Sequence, residues 1–239
     1  MSSNGEIEVV SGRYHKSEIT ILKRVSLVEQ YIYKNDNSVD LFITGGGDGN
    51  VILYEVDASH TLIRYLLTLD GLRGSVAALC GMLSGSKLII VASWVDETTS
   101  GVRVWWLEYS DSKFSVSHFY DVTELGNAFV LASDMQKISN GRKLLAFGTT
   151  KRTIELYCES LCEKTIKPVL SIVGHEDWIH SLAFNQQSPT LLVTAGQDTQ
   201  VKLWRIDAII KSNDAAEISV FKNTFTIESL KPGQRSYNT

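Results

Sequence analysis

The segment from Val169 to Asp207, VLSIVGHEDWIHSLAFNQQSPTLLVTAGQDTQVKLWRID, constrains the fold of this chain more than any other feature. It holds four short runs of aliphatic, β-branched and aromatic residues, at roughly 167–173, 177–184, 190–196 and 200–206, with Gly, Asp, Asn and Ser between them. Runs this short, bounded by turn formers and joined by no 3.6-residue apolar pattern, read as strands. The last two runs have relatives upstream: LFITGGGDGNVILYEVD from Leu41, LIIVASWVDETTSGVRVWWLE from Leu88 with a longer turn, and LLAFGTTKRTIELYCE from Leu144. With Tyr54, Trp105, Tyr157 and Trp204 as equivalent positions, the spacings are 51, 52 and 47 residues. A four-strand unit returning at that interval predicts an all-β chain of repeated four-stranded sheets. Helical repeats would need two amphipathic helices per unit, and these runs are too short and too β-branched to form them.

The clearest copy also carries polar residues at telling positions. Gly174-His175 precedes the second run, Thr194 lies in the third, Asp198 is in the tight turn, and Trp204 follows in the fourth. An indole N–H only donates, a hydroxyl accepts and donates, a neutral imidazole does both, and a carboxylate only accepts. His175, Thr194, Asp198 and Trp204 therefore form the candidate site of this chain, a structural tetrad that fixes strand register through a fully satisfied buried network. The same His and Asp could be read as a catalytic dyad, but no nucleophile stands at a motif position beside them. The upstream copies depart from the pattern. Asp48 stands six residues before Tyr54 with no Gly-His ahead of it, while Thr99 and Lys151 take the turn position in the other two. All three are expected to be held mainly by apolar packing.

Gly-His, the turn Asp and the strand-closing Trp resemble the WD-repeat family. The resemblance implies a WD40 β-propeller, with about four blades visible as part of a seven-bladed ring. Residues 1–228 would then be a partial propeller with blade-ending strands near 50–57, 101–108, 152–158 and 200–206, followed by an irregular tail at 229–239. The combination of GHEDW at 174–178, a KLWRI-type strand and an insertion ending in KNTFTIE at 222–228 is similar to the WD-repeat scaffold subunits of the Elongator complex. That resemblance implies a non-catalytic scaffold in tRNA wobble-uridine modification, with the large Elongator scaffold subunit and the catalytic subunit as partners. A generic WD40 adaptor, such as a ubiquitin-ligase substrate receptor or a trafficking component, is the alternative.

Composition narrows the remaining possibilities. Across 239 residues, 23 basic and 27 acidic side chains give a net charge of -4, so no global field draws in nucleic acid or anionic lipid. Direct tRNA contact would fall to local pairs, of which Lys23-Arg24, Arg142-Lys143 and Lys151-Arg152 are the candidates. Cys80, Cys158 and Cys162 are too few and too irregularly placed for a disulfide framework or a metal site, and read as free thiols. Gly45 to Gly49 lies between two strands rather than ahead of a helix, so it reads as a hairpin turn and not a phosphate cradle. No catalytic residue, metal ligand or cofactor site is expected. The polar, partly acidic stretch from Met1 to Arg13 does not look like a targeting segment, which makes cytoplasm or nucleus the expected location.

Overall fold

Seventeen strands and no helix make up the described part of the chain in a computed structural model, which covers residues 14–28, 40–56, 62–123, 125–138, 141–161, 163–186, 190–210 and 216–223. The first sheet contains β1 (Ile19–Arg24), β3 (Asp40–Gly46), β4 (Val51–Val56) and β5 (Ile63–Leu69), in that order. The second runs β6 (Ser75–Ser84), β7 (Lys87–Val95), β8 (Ser100–Ser110), β9 (Lys113–Val122). Its inner edge gains a fifth strand, β2 (Ser26–Val28), pairing parallel with Met82 to Ser84. The third sheet is β10 (Val130–Lys137), β11 (Lys143–Thr149), β12 (Thr153–Ser160), β13 (Thr165–Val173). The fourth is β14 (Ile179–Phe184), β15 (Leu191–Gly196), β16 (Val201–Ile210), β17 (Ala216–Asn223). Apart from the β2 addition every pairing is antiparallel, so each sheet is an up-and-down meander. The four sheets are blades of a β-propeller, and β1, β6, β10 and β14 are its inner strands, since residues of all four line one central cavity.

Burial explains the sequence pattern of each strand. Second and third strands are covered on both faces by neighbouring blades and read as nearly unbroken apolar runs; every residue of β11, KLLAFGT, is buried. The outer strand β9 alternates, because one of its faces meets solvent. Three apolar layers fill the spaces between blades. Leu41, Ile43 and Leu53 of the first blade meet Leu79, Ile90 and Trp105 of the second. Val91, Val104 and Trp106 meet Leu145, Phe147 and Tyr157 of the third, and Ala146, Ile154 and Leu156 meet Leu182, Leu192 and Trp204 of the fourth. Trp105, Tyr157 and Trp204 thus each pack on the preceding blade, as their equivalence in the repeat requires. Full burial of one such side chain contributes about 1.5–3 kcal/mol.

Hydrogen bonds stitch neighbouring blades together near the inner strands. The Thr20 hydroxyl donates to the Val76 carbonyl at 2.6 Å, Ser93 Oγ to the Val130 carbonyl at 2.8 Å, and the Phe184 amide to Asp134 Oδ2 at 2.7 Å. The last matters because burial raises the Asp134 carboxyl, while the amides of Phe184 and Met135 and the charge of Lys23 pull it back.

Two sequence expectations about blade boundaries are corrected. The strands expected to end blades, near 50–57, 101–108, 152–158 and 200–206, are β4, β8, β12 and β16, and each is a third strand; β5, β9, β13 and β17 lie outside them. The first run of the Val169 segment falls in β13 and closes the third blade rather than opening the fourth. A sequence unit and a blade are therefore offset by one strand. β17 spans Ala216–Asn223 and completes the fourth blade, and residues 224–239, with the rest of the KNTFTIE segment and the expected irregular tail, lie outside the described residues.

Candidate functional site

The tetrad residues of the fourth blade come together from two strands and two connections. His175 sits in the loop after β13, Thr194 on β15, Asp198 in the β15–β16 turn and Trp204 on β16. Trp204 Nε1 donates to Thr194 Oγ1 at 2.8 Å, and Thr194 Oγ1 lies 2.8 Å from His175 Nε2. His175 Nδ1 is 2.9 Å from both oxygens of Asp198. The direction of the chain follows from its ends. The indole can only donate, so the threonine proton goes to Nε2 and the imidazole donates from Nδ1 to the carboxylate. Asp198 also accepts from the amides of Glu176 at 2.9 Å and Gln200 at 3.1 Å. Burial raises the Asp198 carboxyl, but these donors and His175 outweigh it and hold the group below its ordinary value.

Formally this is also a hydroxyl, imidazole and carboxylate in series. Thr194, however, has no exposed surface, and its oxygen already accepts the Trp204 N–H. A nucleophile must reach its substrate, so the geometry here suits strand registration rather than acyl transfer.

The first blade contains the same chain, which the sequence reading missed. His15 Nδ1 lies 3.0 Å from Asp48 Oδ1, and its Nε2 lies 2.8 Å from Thr44 Oγ1. The Tyr54 hydroxyl hydrogen-bonds with Thr44 in place of an indole. Asp48 again accepts two amides, Lys16 at 2.7 Å and Asn50 at 3.1 Å. Burial raises the Asp48 carboxyl, yet Lys16, His15 and Asn50 together bring it down to about 2. The expectation that this blade depends mainly on apolar packing is therefore corrected. Its histidine stands 33 residues before the aspartate, against 23 in the fourth blade, and follows Tyr14 instead of a glycine. The usable signal was a histidine four residues ahead of an inner strand, as in His15 before Ile19 and His175 before Ile179. A glycine is required beside each histidine. A Cβ at Gly46 would lie 2.5 Å from His15 Nδ1, and one at Gly196 would lie 2.6 Å from His175 Nδ1.

Among the described residues, blades two and three show no such chain. Thr99 and Lys151 bond in their turns through their own main-chain groups: the Asp96 amide donates to the Thr99 carbonyl at 2.8 Å, and the Lys151 amide donates to the Thr149 side-chain hydroxyl at 3.2 Å. A different polar group joins these two blades. Trp106 Nε1 on β8 donates to Glu159 Oε1 on β12 at 3.2 Å, and Lys143 Nζ on β11 lies 3.2 Å from Glu159 Oε2. Arg142 Nε donates to the Glu159 carbonyl at 2.6 Å, and all four side chains are buried.

That cluster corrects one of the candidate tRNA contacts, because Arg142-Lys143 is turned into the protein and committed to Glu159. Lys151-Arg152 is exposed on the β11–β12 hairpin. Lys23-Arg24 is also exposed, with Lys23 at the central cavity and Arg24 paired to Asp40 at 2.5 Å. The two remaining pairs sit on different elements, β1 and the β11–β12 turn. Cys80 and Cys158 are buried free thiols, the Cys80 thiol pushed up by burial, and Cys162 lies outside the described residues. Gly49, at φ 72°, forms the left-handed corner of the β3–β4 hairpin.

Comparison with known proteins agrees with this geometry. The family described as "WD domain, G-beta repeat" matches residues 166–205, the stretch from the outer strand of the third blade to the third strand of the fourth. The chain is 27% identical to the Homo sapiens protein named Elongator complex protein 2, over 84% of this chain and 24% of that protein. It is 26% identical to the Saccharomyces cerevisiae protein of that name, over 80% of this chain and 23% of the relative. The Drosophila melanogaster counterpart is 25% identical over 70% of this chain and 21% of its own length. The chain thus spans about a quarter of the length of these curated relatives. Its four blades, its matched repeat and these relatives make it a WD40-repeat β-propeller segment similar to Elongator complex protein 2.

Proposed function

We propose that the chain serves as a non-catalytic scaffold segment within an Elongator assembly acting in tRNA wobble-uridine modification, in the cytoplasm or nucleus. The observation that carries this reading is similarity to Elongator complex protein 2 over 84% of the chain, which extends well beyond the single matched repeat. The buried tetrads support it, since their polar atoms are spent on holding strands together. In this role the blades present loops and edges to the large Elongator scaffold subunit and the catalytic subunit. Direct tRNA contact, if the protein makes it, falls to Lys151-Arg152 or Lys23-Arg24. Affinity purification of the tagged protein from its own cells tests the assignment. Co-recovery of the large and catalytic Elongator subunits, with loss of carboxymethyl-type wobble uridines on gene deletion, is expected. Recovery of ubiquitin-ligase or coat subunits with normal wobble uridines would replace it with the adaptor reading.

A further inference from the structure

A pocket of about 310 Å³ opens at the end of the second blade that carries the β7–β8 turn. Gly71 and Arg73 of the β5–β6 loop, Trp94 of β7, Gly101 and Arg103 of β8, and Gly126 of the β9–β10 loop form its walls. The second blade has both of its neighbours in place, so these walls are complete within the chain. Register explains the space. At the bulge between inner and second strands, Ile19 pairs with Gly46 and Ile179 with Gly196, and a Cβ on either glycine would run into the tetrad histidine. In the second blade the corresponding pair is Val76 and Trp94. An indole therefore leaves the sheet where a histidine otherwise sits, toward the loop that carries Gly71 and Arg73. It is half-buried and lies against the main chain of Gly101, where a Cβ would come within 2.8 Å of the ring.

The charges around the pocket are unevenly committed. Arg103 donates to both oxygens of Asp121 and to the Gly71 carbonyl at 3.2 Å, so that pair is spent on the wall itself. Arg73 is exposed and takes part in no ion pair among the described residues. Lys151 is equally unpaired there, and its Nζ lies 3.7 Å from the place a Cβ would take on Gly126. We propose that this pocket binds a nucleotide, with the base stacked on Trp94 and the phosphate met by Arg73 and Lys151. An aromatic face beside uncommitted cations holds a base and its phosphate together. Size disfavours a lone acidic side chain: a water occupies about 30 Å³ of liquid, so a carboxylate would leave most of the space and the indole face to solvent. The site depends on Arg73 and Trp94, which the Elongator reading does not use, so its failure would leave that reading, decided by purification, untouched.

Fluorescence anisotropy of dye-labelled octauridylate with the 239-residue chain tests the site, with uridine monophosphate, uridine, inorganic phosphate and octaglutamate as competitors. Saturable binding is expected, displaced by uridine monophosphate but not by the other three at matched concentration and ionic strength. Octauridylate binding much tighter than the monophosphate would identify an RNA strand as the source, and equal affinities a free nucleotide; both support the site. Arg73→Gln and Lys151→Gln, at exposed positions, should each weaken binding about tenfold and lower its salt dependence by close to one phosphate contact. Trp94→Leu should weaken it about five- to hundredfold, and Trp94→Phe by less, since a smaller ring still stacks. Absence of saturable binding, an unchanged affinity in Arg73→Gln, or equal losses in Trp94→Leu and Trp94→Phe would overturn the proposal. So would stronger displacement by octaglutamate, which would make the pocket a site for an acidic polypeptide.

Discussion

The first and fourth blades tie their strands with a hydrogen-bonded chain ending in an aspartate; the second and third share a buried ion cluster between them. In the first arrangement each polar atom is matched inside one blade and its connecting loop, from Trp204 to Asp198 and from Tyr54 to Asp48. In the second, Glu159 of one blade depends on Trp106 of its neighbour as well as on Lys143 of its own. A tetrad is thus a device for registering strands within a sheet, and the Glu159 cluster is a device for fixing one sheet against another. Both work only while fully satisfied, because a buried polar group that loses its partner keeps its desolvation cost.

The sharpest way to break the comparison is Glu159→Ala. It leaves the Lys143 ammonium and the Trp106 N–H buried without their acceptor, and a loss of about 3–5 kcal/mol in chemical denaturation is expected. Asp198→Ala and Asp48→Ala should each cost about 1–3 kcal/mol, by unpairing a histidine and two amides. If the two blades are equivalent, the two losses will be similar; an unaffected midpoint for Asp48→Ala would confine the tetrad to the fourth blade.

Acid separates the two devices further. The folded Asp48 carboxyl is lowered to about 2 from an ordinary 3.8, and Asp198 is lowered in the same direction. A group depressed in the folded state contributes stability above its unfolded value and loses it as the pH falls through the folded one. Stability should therefore decline between about pH 4 and pH 2, and Asp48→Asn should flatten that slope in pH-dependent denaturation. The smallest effect belongs to the turns. Thr199, at φ 61°, occupies the left-handed corner that Gly49 fills in the first blade. Thr199→Gly should raise stability by about 1 kcal/mol, visible as a higher thermal midpoint.

Much of the fourth blade was legible because its signals are local. Gly174-His175, Thr194, Asp198 and Trp204 keep the fixed offsets that an antiparallel meander imposes, and turn chemistry and strand alternation agree around them. The first blade hid the same chain behind two substitutions, Tyr14 for glycine and Tyr54 for tryptophan, and behind a longer gap between β1 and β3. A tyrosine hydroxyl does the donor's work of an indole, but the alignment of aromatics does not reveal which partner it meets. The blade boundary was misplaced for a related reason: a repeat marks recurring sequence, while hydrogen bonding alone decides to which sheet β13 and β17 belong.

By itself, then, the sequence determined the all-β class, the repeat interval, the position of the second and third strands and the makings of one tetrad. Each of these depends on residues close together along the chain, where backbone periodicity dictates geometry. Tertiary structure decided that Arg142-Lys143 is buried and that Trp106 meets Glu159. It also placed Arg73, Trp94 and Gly126 around one pocket. Those outcomes depend on which face of one sheet packs against the next, and the stacking of blades brings together residues whose spacing in the chain carries no period.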